Sequence, residues 1–286
     1  MNDIERRALL GAAGIGALAA LSKAGPLNPP AGSVASTGRT LDEIYNKITF
    51  GDGRIPIPAS STTVTIATPG SYVLTGNITP AAGTNGILVS ASNVTVDLNG
   101  YTVAGASNTF TGVVLTGGAS AVVIRNGTVT GFSAGVAAGP GSIGVVFEDL
   151  LVKDVKTLGI LASSGTVRGI RVRRCSVVDT GSTTTSTDGN IVISGISLTG
   201  AGHTIEDCVV SRFLYNGSGT PTIRAIALNS TPPTGYGNLV LRNTITSDAL
   251  LTGTGIHFFS SGVYRDNTVV GFTTNASGGT NGGGNV

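Results

Sequence analysis

Two long polar segments of the sequence carry most of the side chains that could bind a ligand. They are Asp179–Asn190 (DTGSTTTSTDGN) and Phe213–Thr222 (FLYNGSGTPT). In or beside them stand two carboxylates, two guanidinium groups, a phenol ring and an amide: Asp179, Asp188, Arg212, Tyr215, Asn216 and Arg224. A tyrosine ring can stack on a pyranose face, and charged groups bond sugar hydroxyls or uronate carboxylates. The set predicts a sugar-binding surface; its alternative is ordinary loop composition, which is also rich in Ser, Thr and Gly.

Catalytic residues stay unassigned, because no complete catalytic motif is present in the sequence. Glycoside hydrolysis needs two carboxylates facing one bond, and calcium-assisted elimination needs an acidic cluster beside a basic residue. The nearest approximations are Glu148, Asp149 and Asp154 beside Lys153, and Glu206 and Asp207 beside Arg173. These acidic residues recur with a repeat, so a structural role explains them. No cofactor or metal is expected, and Ca²⁺ would be needed only by a lyase.

The composition favours an all-β protein over several other classes. The 286 residues include 44 Gly, and only 11% are charged. Lys and Arg (17) nearly balance Asp and Glu (15), so the bulk charge gives no support for nucleic-acid binding. Two cysteines are too few for a disulfide framework. A chain rich in Gly, Thr, Ser and Val is typical of many short strands and turns.

Two short patterns alternate from about residue 70 and predict the elements that position the polar segments. The first is Gly or Ala, a β-branched residue, any residue and an apolar residue, as in Gly86–Val89. The second is apolar, any, apolar and charged, followed by a turn, as in Val94–Asp97 and Val145–Glu148. The charged position recurs after 23 to 36 residues. A basic coil of about 23 residues is too short for a βαβ unit and fits three short strands joined by three bends.

The bend after each charged residue adds a further recurring position. Asn and Asp, which tolerate a left-handed backbone, occupy most of it: Asn126, Asp149, Arg174, Asp207, Asn243 and Asp266. Over about residues 70–275 the sequence resembles the right-handed parallel β-helix proteins of the pectate-lyase-like group. The resemblance implies an all-β fold, a single-stranded right-handed parallel β-helix of about eight coils with three short sheets. In such a solenoid the two polar segments leave successive coils at the same corner, so we expect them to lie side by side.

Stacking the repeats predicts three columns of side chains. The charged column alternates in sign and is expected to be an exposed salt-bridge ladder rather than a binding stripe: Asp97, Arg125, Glu148, Arg173, Glu206, Arg242 and Arg265. Cys175 and Cys208 are expected to touch in the core, and a stacked pair of buried thiols is favoured over the alternative of a disulfide. The outward position of the first pattern is mostly apolar, which predicts a face covered by the linker or by a second copy of the chain: Leu88, Val114, Ala137, Leu161 and Ala227, with Ser197 and His257.

The N-terminal residues predict an export signal and a capping helix. Residues 1–25 combine Arg6-Arg7 with a short apolar stretch, which looks like a twin-arginine export signal; a buried helix or an uncleaved anchor is the alternative. Residues 26–40 predict a Pro/Gly/Ser linker, residues 41–48 a short amphipathic capping helix, and residues 49–286 the β-helix. Export would place the protein in the periplasm, at the cell surface or outside the cell.

Two functions fit these observations. The first is an exported β-helix protein with a structural, adhesive or glycan-binding role at the cell surface, whose partner is a polysaccharide and whose state is a homo-oligomer. The second is a polysaccharide lyase or glycoside hydrolase acting on an extracellular, uronate-containing polysaccharide. Acidic positions that arise from the repeat, together with the missing catalytic set, favour the first.

Overall fold

The computed structural model of the chain describes residues 53–106, 110–182, 191–215, 220–229 and 237–286. Within these ranges the chain forms strands, turns and bends, and no helix. The part of the chain that the structure describes therefore holds no helix that could span a membrane. The predicted export signal, linker and capping helix lie outside the described residues.

The strands are short and follow one another along the whole described chain. They are β1 (Ile55–Ile57), β2 (Val64–Ile66), β3 (Gly70–Leu74), β4 (Ile87–Val89), β5 (Val94–Asp97), β6 (Thr102–Ala104), β7 (Thr111–Leu115), β8 (Val122–Thr130), β9 (Ala134–Ala138), β10 (Val146–Val155), β11 (Leu158–Ala162), β12 (Arg171–Arg173), β13 (Ser176–Ser182), β14 (Val192–Thr199), β15 (Thr204–Glu206), β16 (Val209–Tyr215), β17 (Thr222–Asn229), β18 (Asn238–Leu241), β19 (Thr244–Phe258), β20 (Gly262–Arg265), β21 (Thr268–Ser277) and β22 (Thr280–Asn281).

All pairings between these strands are parallel, and each strand pairs with the equivalent strand one coil later. The first sheet contains β1, β3, β5, β8, β10, β12, β15, β18, β20 and β22. The second contains β6, β13 and β16 with parts of β8, β10, β19 and β21. The third contains β2, β4, β7, β9, β11, β14 and β17 with the ends of β19 and β21. The predicted parallel β-helix with three short sheets is confirmed.

The core is a stack of apolar side chains that follows from the two-residue period of the strands. In the first sheet one interior column runs through successive coils and is fully buried: Val96, Ile124, Phe147, Val172, Ile205 and Val240. Each such side chain contributes about 1.5–3 kcal/mol relative to exposure, so the stack stabilises every coil against its neighbours. Outward positions on the same strands are free to carry polar groups.

The glycine of the first pattern is required by close approach between coils. A Cβ added to Gly135 would lie 2.5 Å from the carbonyl oxygen of Gly159, and one added to Gly159 would collide with the carbonyl of Gly195. Neither glycine has a left-handed backbone, so space rather than conformation selects the residue. The pattern therefore marks where the third sheet passes closest to the next coil.

The charged column forms ion pairs in its first coils, as predicted, but the ladder is not exposed as predicted, because the Asp97 and Glu148 carboxylates are buried. Asp97, Arg125, Glu148, Arg173 and Glu206 occupy one register position of the first sheet. The Arg125 guanidinium lies 3.3 Å from the Asp97 carboxylate, and Arg173 Nε donates to Glu148 Oε2 at 2.6 Å. Opposite charges one coil apart thus pair on the outer face.

The predicted places of Arg242 and Asn243 are wrong by one residue. Leu241, not Arg242, stands between Glu206 and Arg265 in the charged column. The cause is the run Leu239-Val-Leu, in which either Val or the two Leu could face the core, so alternation does not define the register. In the structure Val240 is buried and Leu239 is exposed.

The bend position therefore belongs to Arg242, and it forms a second set of ion pairs. Its members have φ between 50° and 61°: Asn126, Asp149, Arg174, Asp207, Arg242 and Asp266. Arg174 Nε donates to Asp149 at 2.7 Å, and Arg242 Nε donates to Asp207 at 2.7 Å. These hydrogen bonds hold the pKa values of Asp149 and Asp207 below the usual range of a carboxyl group.

Cys175 and Cys208 lie at the same interior register position of neighbouring coils, as predicted, and both are buried free thiols. Cys175 Sγ is 3.5 Å from the carbonyl oxygen of Phe147, and Cys208 Sγ is 3.7 Å from that of Val172. Hydrogen bonding to Cys208 and burial raise the pKa of the Cys175 thiol. Both effects keep this thiol in its unreactive neutral form.

We expect neither thiol to react with an aromatic disulfide reagent in the folded protein, and both to react once the protein is unfolded in denaturant. Burial excludes the reagent from the native core. A Thr274→Cys variant, which adds a thiol at an exposed position, provides the control because one equivalent should react at once. Reaction of the wild-type thiols in the native state would contradict this arrangement, and so would no reaction after unfolding.

Beyond Cys208 the same interior column continues as a ladder of asparagine side chains. Cys208 N–H donates to Asn243 Oδ1, Asn243 N–H donates to Asn267 Oδ1, and Asn267 N–H donates to Asn285 Oδ1, at 2.9 to 3.0 Å. Each asparagine side chain thus accepts a hydrogen bond from a backbone N–H of the preceding coil. The ladder satisfies polar groups that the core would otherwise bury without partners.

Candidate functional site

The structure describes four of the six predicted sugar-binding residues and divides them between two places. Asp188 and Asn216 lie outside the described residues. Asp179 and Arg212 lie together at the outer corner of the second sheet. Arg224 belongs to β17 in the third sheet. Whether the two polar segments lie side by side stays a prediction.

Arg212 is held between two carboxylates. Its Nε lies 3.2 Å from Asp179 Oδ1 and 3.4 Å from Asp248 Oδ2. Asp179 and Arg212 both have φ of 55°, because they occupy equivalent bends of successive coils. Asp248 is mostly exposed, whereas Asp179 is largely buried.

The pair of Asp179 and Arg212 repeats an arrangement found at the other corner. There, too, a left-handed Asp is followed one coil later by a left-handed Arg that reaches back to its carboxylate, as Arg174 does to Asp149. Positive φ is uncommon for a long side chain, and the ion pair offsets part of its cost. The positive charge of Arg212 is therefore already balanced within the protein, and its role is explained by corner geometry.

Tyr215 does not present a free ring. It ends β16 and is half-buried, with its side chain packed against the hydrophobic core. A ring in this position supports the coil rather than offering both faces to a ligand. Among the predicted sugar-binding residues that the structure describes, Arg224 therefore has the surroundings best suited to binding a ligand.

Arg224, His257 and Phe259 form a compact group on the outer side of the third sheet, which we call the Arg224 cluster. The Arg224 guanidinium lies over the Phe259 ring, 4.7 Å from its centroid. The His257 ring meets the same ring edge to face, with centroids 4.3 Å apart and planes at 82°. Phe259 is 51% exposed, and its N–H donates to the carbonyl of Leu228, which fixes the residue at the end of β19.

The electrostatics of the Arg224 cluster differ from those of Arg212. Partial burial lowers the pKa of Arg224, because water is removed from its guanidinium. Burial, and secondarily the charge of Arg224, lowers the pKa of His257. Among the described residues no carboxylate pairs with Arg224. The cluster thus combines an exposed aromatic ring with a cation that no described carboxylate balances, which suits an anionic ligand with a flat face.

Two residues of this cluster, His257 and Phe259, were not among the predicted site residues. His257 occupies the outer column, whose predicted register is confirmed from Leu88 through Val114, Ala137, Leu161, Ser197 and Ala227 to His257. It is the one titratable residue of that column. This break in an apolar series is the signal that the sequence offers, and Arg224, which stands just before the preceding Ala-Ile-Ala-Leu repeat, is its partner.

A cavity of about 270 Å³ opens at the last coil. It is lined by Ile256, Tyr264, Val269, Asn281, Asn285 and Val286, among others. No lining residue is charged. Across the described residues no group of three or more His, Cys, Asp or Glu side chains is placed to hold a metal ion.

No protein-family model matches the sequence, and no curated protein matches it. Among similar solved structures is an alginate lyase from Paenibacillus sp. str. FPU-7, with a TM-score of 0.46 and 14% identity, covering 78% of this chain and 95% of the lyase. Another is the Dettilon tailspike protein, with a TM-score of 0.38 and 14% identity, covering 86% of this chain and 62% of the tailspike. At this identity and these TM-scores, neither protein's activity transfers to this chain.

Proposed function

We propose that the chain is a glycan-binding β-helix protein of the cell surface or the extracellular space that takes an acidic polysaccharide at the Arg224 cluster. The observation that carries the proposal is the half-exposed Phe259 ring with Arg224 stacked on it. A sugar ring can lie against the exposed part of the phenyl group, and a uronate carboxylate can accept hydrogen bonds from the guanidinium.

The wider surface also supports a glycan-binding role. The outer column that leads to His257 carries Leu88, Val114 and Leu161, which are half-buried, and the small residues Ala137 and Ala227, which are buried. Its register places one side chain every ~4.8 Å along the solenoid. A long, weakly polar face that ends in a cationic aromatic group suits an extended polymer better than a small molecule.

We expect Phe259→Ala to weaken binding to an acidic polysaccharide such as alginate or polygalacturonate by about tenfold, because a stacking interaction contributes about 0.5–1.5 kcal/mol beyond the buried area. Arg224→Gln should weaken binding to the acidic polymer but leave binding to neutral dextran unchanged. Biolayer interferometry on immobilised polymers measures both dissociation constants.

Matched controls separate the cluster from general effects. Phe110 is 53% exposed, nearly as much as Phe259, so Phe110→Ala removes an equally exposed ring elsewhere. Arg212→Gln removes a guanidinium already held by two carboxylates. Both controls should keep their affinities within about twofold. An equal loss of affinity in Phe110→Ala and Phe259→Ala would contradict the proposal. Release of unsaturated or reducing ends from the polymer would instead show that the protein is a lyase or a hydrolase.

Export through residues 1–25 remains a prediction from the sequence, and it fits the proposal because a surface polysaccharide is met outside the cytoplasm. Association of copies through the outer column also remains a prediction, and it competes with a polymer bound along that column.

A further inference from the structure

His257 has a position in the Arg224 cluster that goes beyond packing against Phe259. Its ring packs against the Phe259 ring at 82°, with centroids 4.3 Å apart, and Arg224 lies over the same phenyl ring, so a ligand on the exposed part of Phe259 would come close to both side chains. The chain has two histidines, and the other, His203, is fully buried in the core. His257 is therefore the histidine that a ligand at the surface can contact.

The charged surroundings of His257 are simple. From β17 it faces Arg224 and the neutral Ala227, and from β21 it faces the neutral Ser277. Among the described residues Arg224 is the charged group that acts on the imidazole, and no carboxylate pairs with His257. In the free protein this arrangement favours a neutral ring, because a second positive charge would stand beside the first.

We propose that His257 is a specificity-determining residue that takes up a proton when an acidic sugar binds, so that the cluster selects carboxylated polysaccharide at mildly acidic pH. This inference rests on the proposed function. A carboxylate bound at Arg224 would offset the repulsion on His257 and add an attraction of its own, so the imidazolium form becomes favourable in the complex.

The sign of the effect follows from linkage. If the pKa of His257 is higher in the complex than in the free protein, binding is accompanied by proton uptake, and affinity rises as pH falls through the bound-state pKa. The ligand carboxylates remain ionised at pH 5.5, because their ordinary pKa lies near that of an aspartate or below. A neutral polysaccharide offers no charge to His257, so its affinity should not rise on acidification.

The test compares dissociation constants for alginate at pH 7.5 and pH 5.5 by isothermal titration calorimetry, using the full chain as wild type and as His257→Gln. Glutamine keeps a planar polar group but does not titrate. We expect wild-type affinity to increase about fivefold at pH 5.5, and His257→Gln to change less than twofold. Titration in two buffers of different ionisation enthalpy should show net proton uptake by the wild type and little by the variant.

The outcomes distinguish this inference from the proposal beneath it. Wild-type binding that is lost in Phe259→Ala but has the same affinity at both pH values overturns the role of His257 and leaves the proposed function standing. A pH dependence that persists in full in His257→Gln also overturns it. No alginate binding at either pH, with the fold verified by circular dichroism, overturns the proposed function and this inference together.

Discussion

Asn267→Leu is expected to lower the free energy of unfolding by about 4 kcal/mol, because it breaks the asparagine ladder at its centre. Asn267 is fully buried, and its side-chain amide has hydrogen-bond partners in the coils before and after it. Its Oδ1 accepts from the N–H and the Nδ2 of Asn243, and the two hydrogens of its Nδ2 are shared among Val240 O, Arg265 O and Asn285 Oδ1. Leucine has the same number and branching of side-chain heavy atoms as asparagine, so no cavity is created and lost hydrogen bonds dominate the change.

The size of the effect follows from the buried polar groups that lose a hydrogen-bond partner. Removing the amide leaves the buried N–H of Asn243 and the carbonyl of Val240 with a lost partner each, and each unsatisfied buried group costs about 1–3 kcal/mol. Urea unfolding followed by circular dichroism measures the loss. Asn275→Leu is the matched control, because Asn275 is exposed, and it should change stability by less than about 0.5 kcal/mol. A loss below about 1 kcal/mol in Asn267→Leu would show that the ladder is dispensable.

Acidification from pH 6.5 to pH 4 is expected to lower stability by about 3 kcal/mol through His203 alone. This side chain is fully buried, and its Nδ1 accepts from the backbone N–H of Ile170 at 3.1 Å. The backbone N–H of His203 donates to Asn238 Oδ1 at 2.9 Å. Burial lowers the pKa of His203 to about 4. The native state therefore holds the neutral ring over a range in which the unfolded chain binds a proton.

The sign of this effect and its pH range are set by two pKa values of His203: about 4 in the folded state and about 6.5, the ordinary histidine value, in the unfolded state. Above pH 6.5 both states are neutral at this residue, and stability does not depend on it. Between pH 6.5 and 4 the His203 side chain binds a proton in the unfolded state but stays neutral in the folded state, so stability falls as pH falls. The depressed pKa values of Asp149 and Asp207 act elsewhere: their contribution is complete above the ordinary carboxyl range and is lost at lower pH.

Unfolding free energies at pH 7, 5.5 and 4.5 for wild type and His203→Gln separate these effects. Glutamine can accept from Ile170 N–H but does not titrate, so the variant should show a much flatter profile from pH 7 to 4.5 even if its absolute stability is lower. Parallel profiles for the two proteins would contradict the assignment and would place the acid sensitivity in other groups.

The fold follows from the sequence because each coil repeats the same physical solution. Alternating apolar residues such as Val94 and Val96 define a buried side, and glycine marks the closest approach between coils, as at Gly135. The sequence does not define the strand register where apolar and polar residues cease to alternate. Leu239-Val-Leu permits two phases, and the asparagine ladder selects between them because Asn243 satisfies buried backbone groups only when it points inward.

The candidate site follows from the sequence less well, because its members come together through stacking between coils rather than through local motifs. Arg224 was predicted, but its partners His257 and Phe259 stand more than thirty residues later in the chain. Asp179 and Arg212 were predicted from residue type, and their ion pair is formed, yet the same pairing of left-handed Asp and Arg recurs at Asp149 and Arg174. Residue types alone did not distinguish a corner ion pair from a ligand group.

The most direct test of glycan binding at the Arg224 cluster is a crystal structure of the protein with an acidic oligosaccharide, such as a short alginate fragment. We expect one sugar ring packed on Phe259 within about 4 Å, with its carboxylate within hydrogen-bond distance of the Arg224 guanidinium. An oligosaccharide bound instead at Asp179, Arg212 and Asp248, with the Arg224 cluster empty, would contradict it.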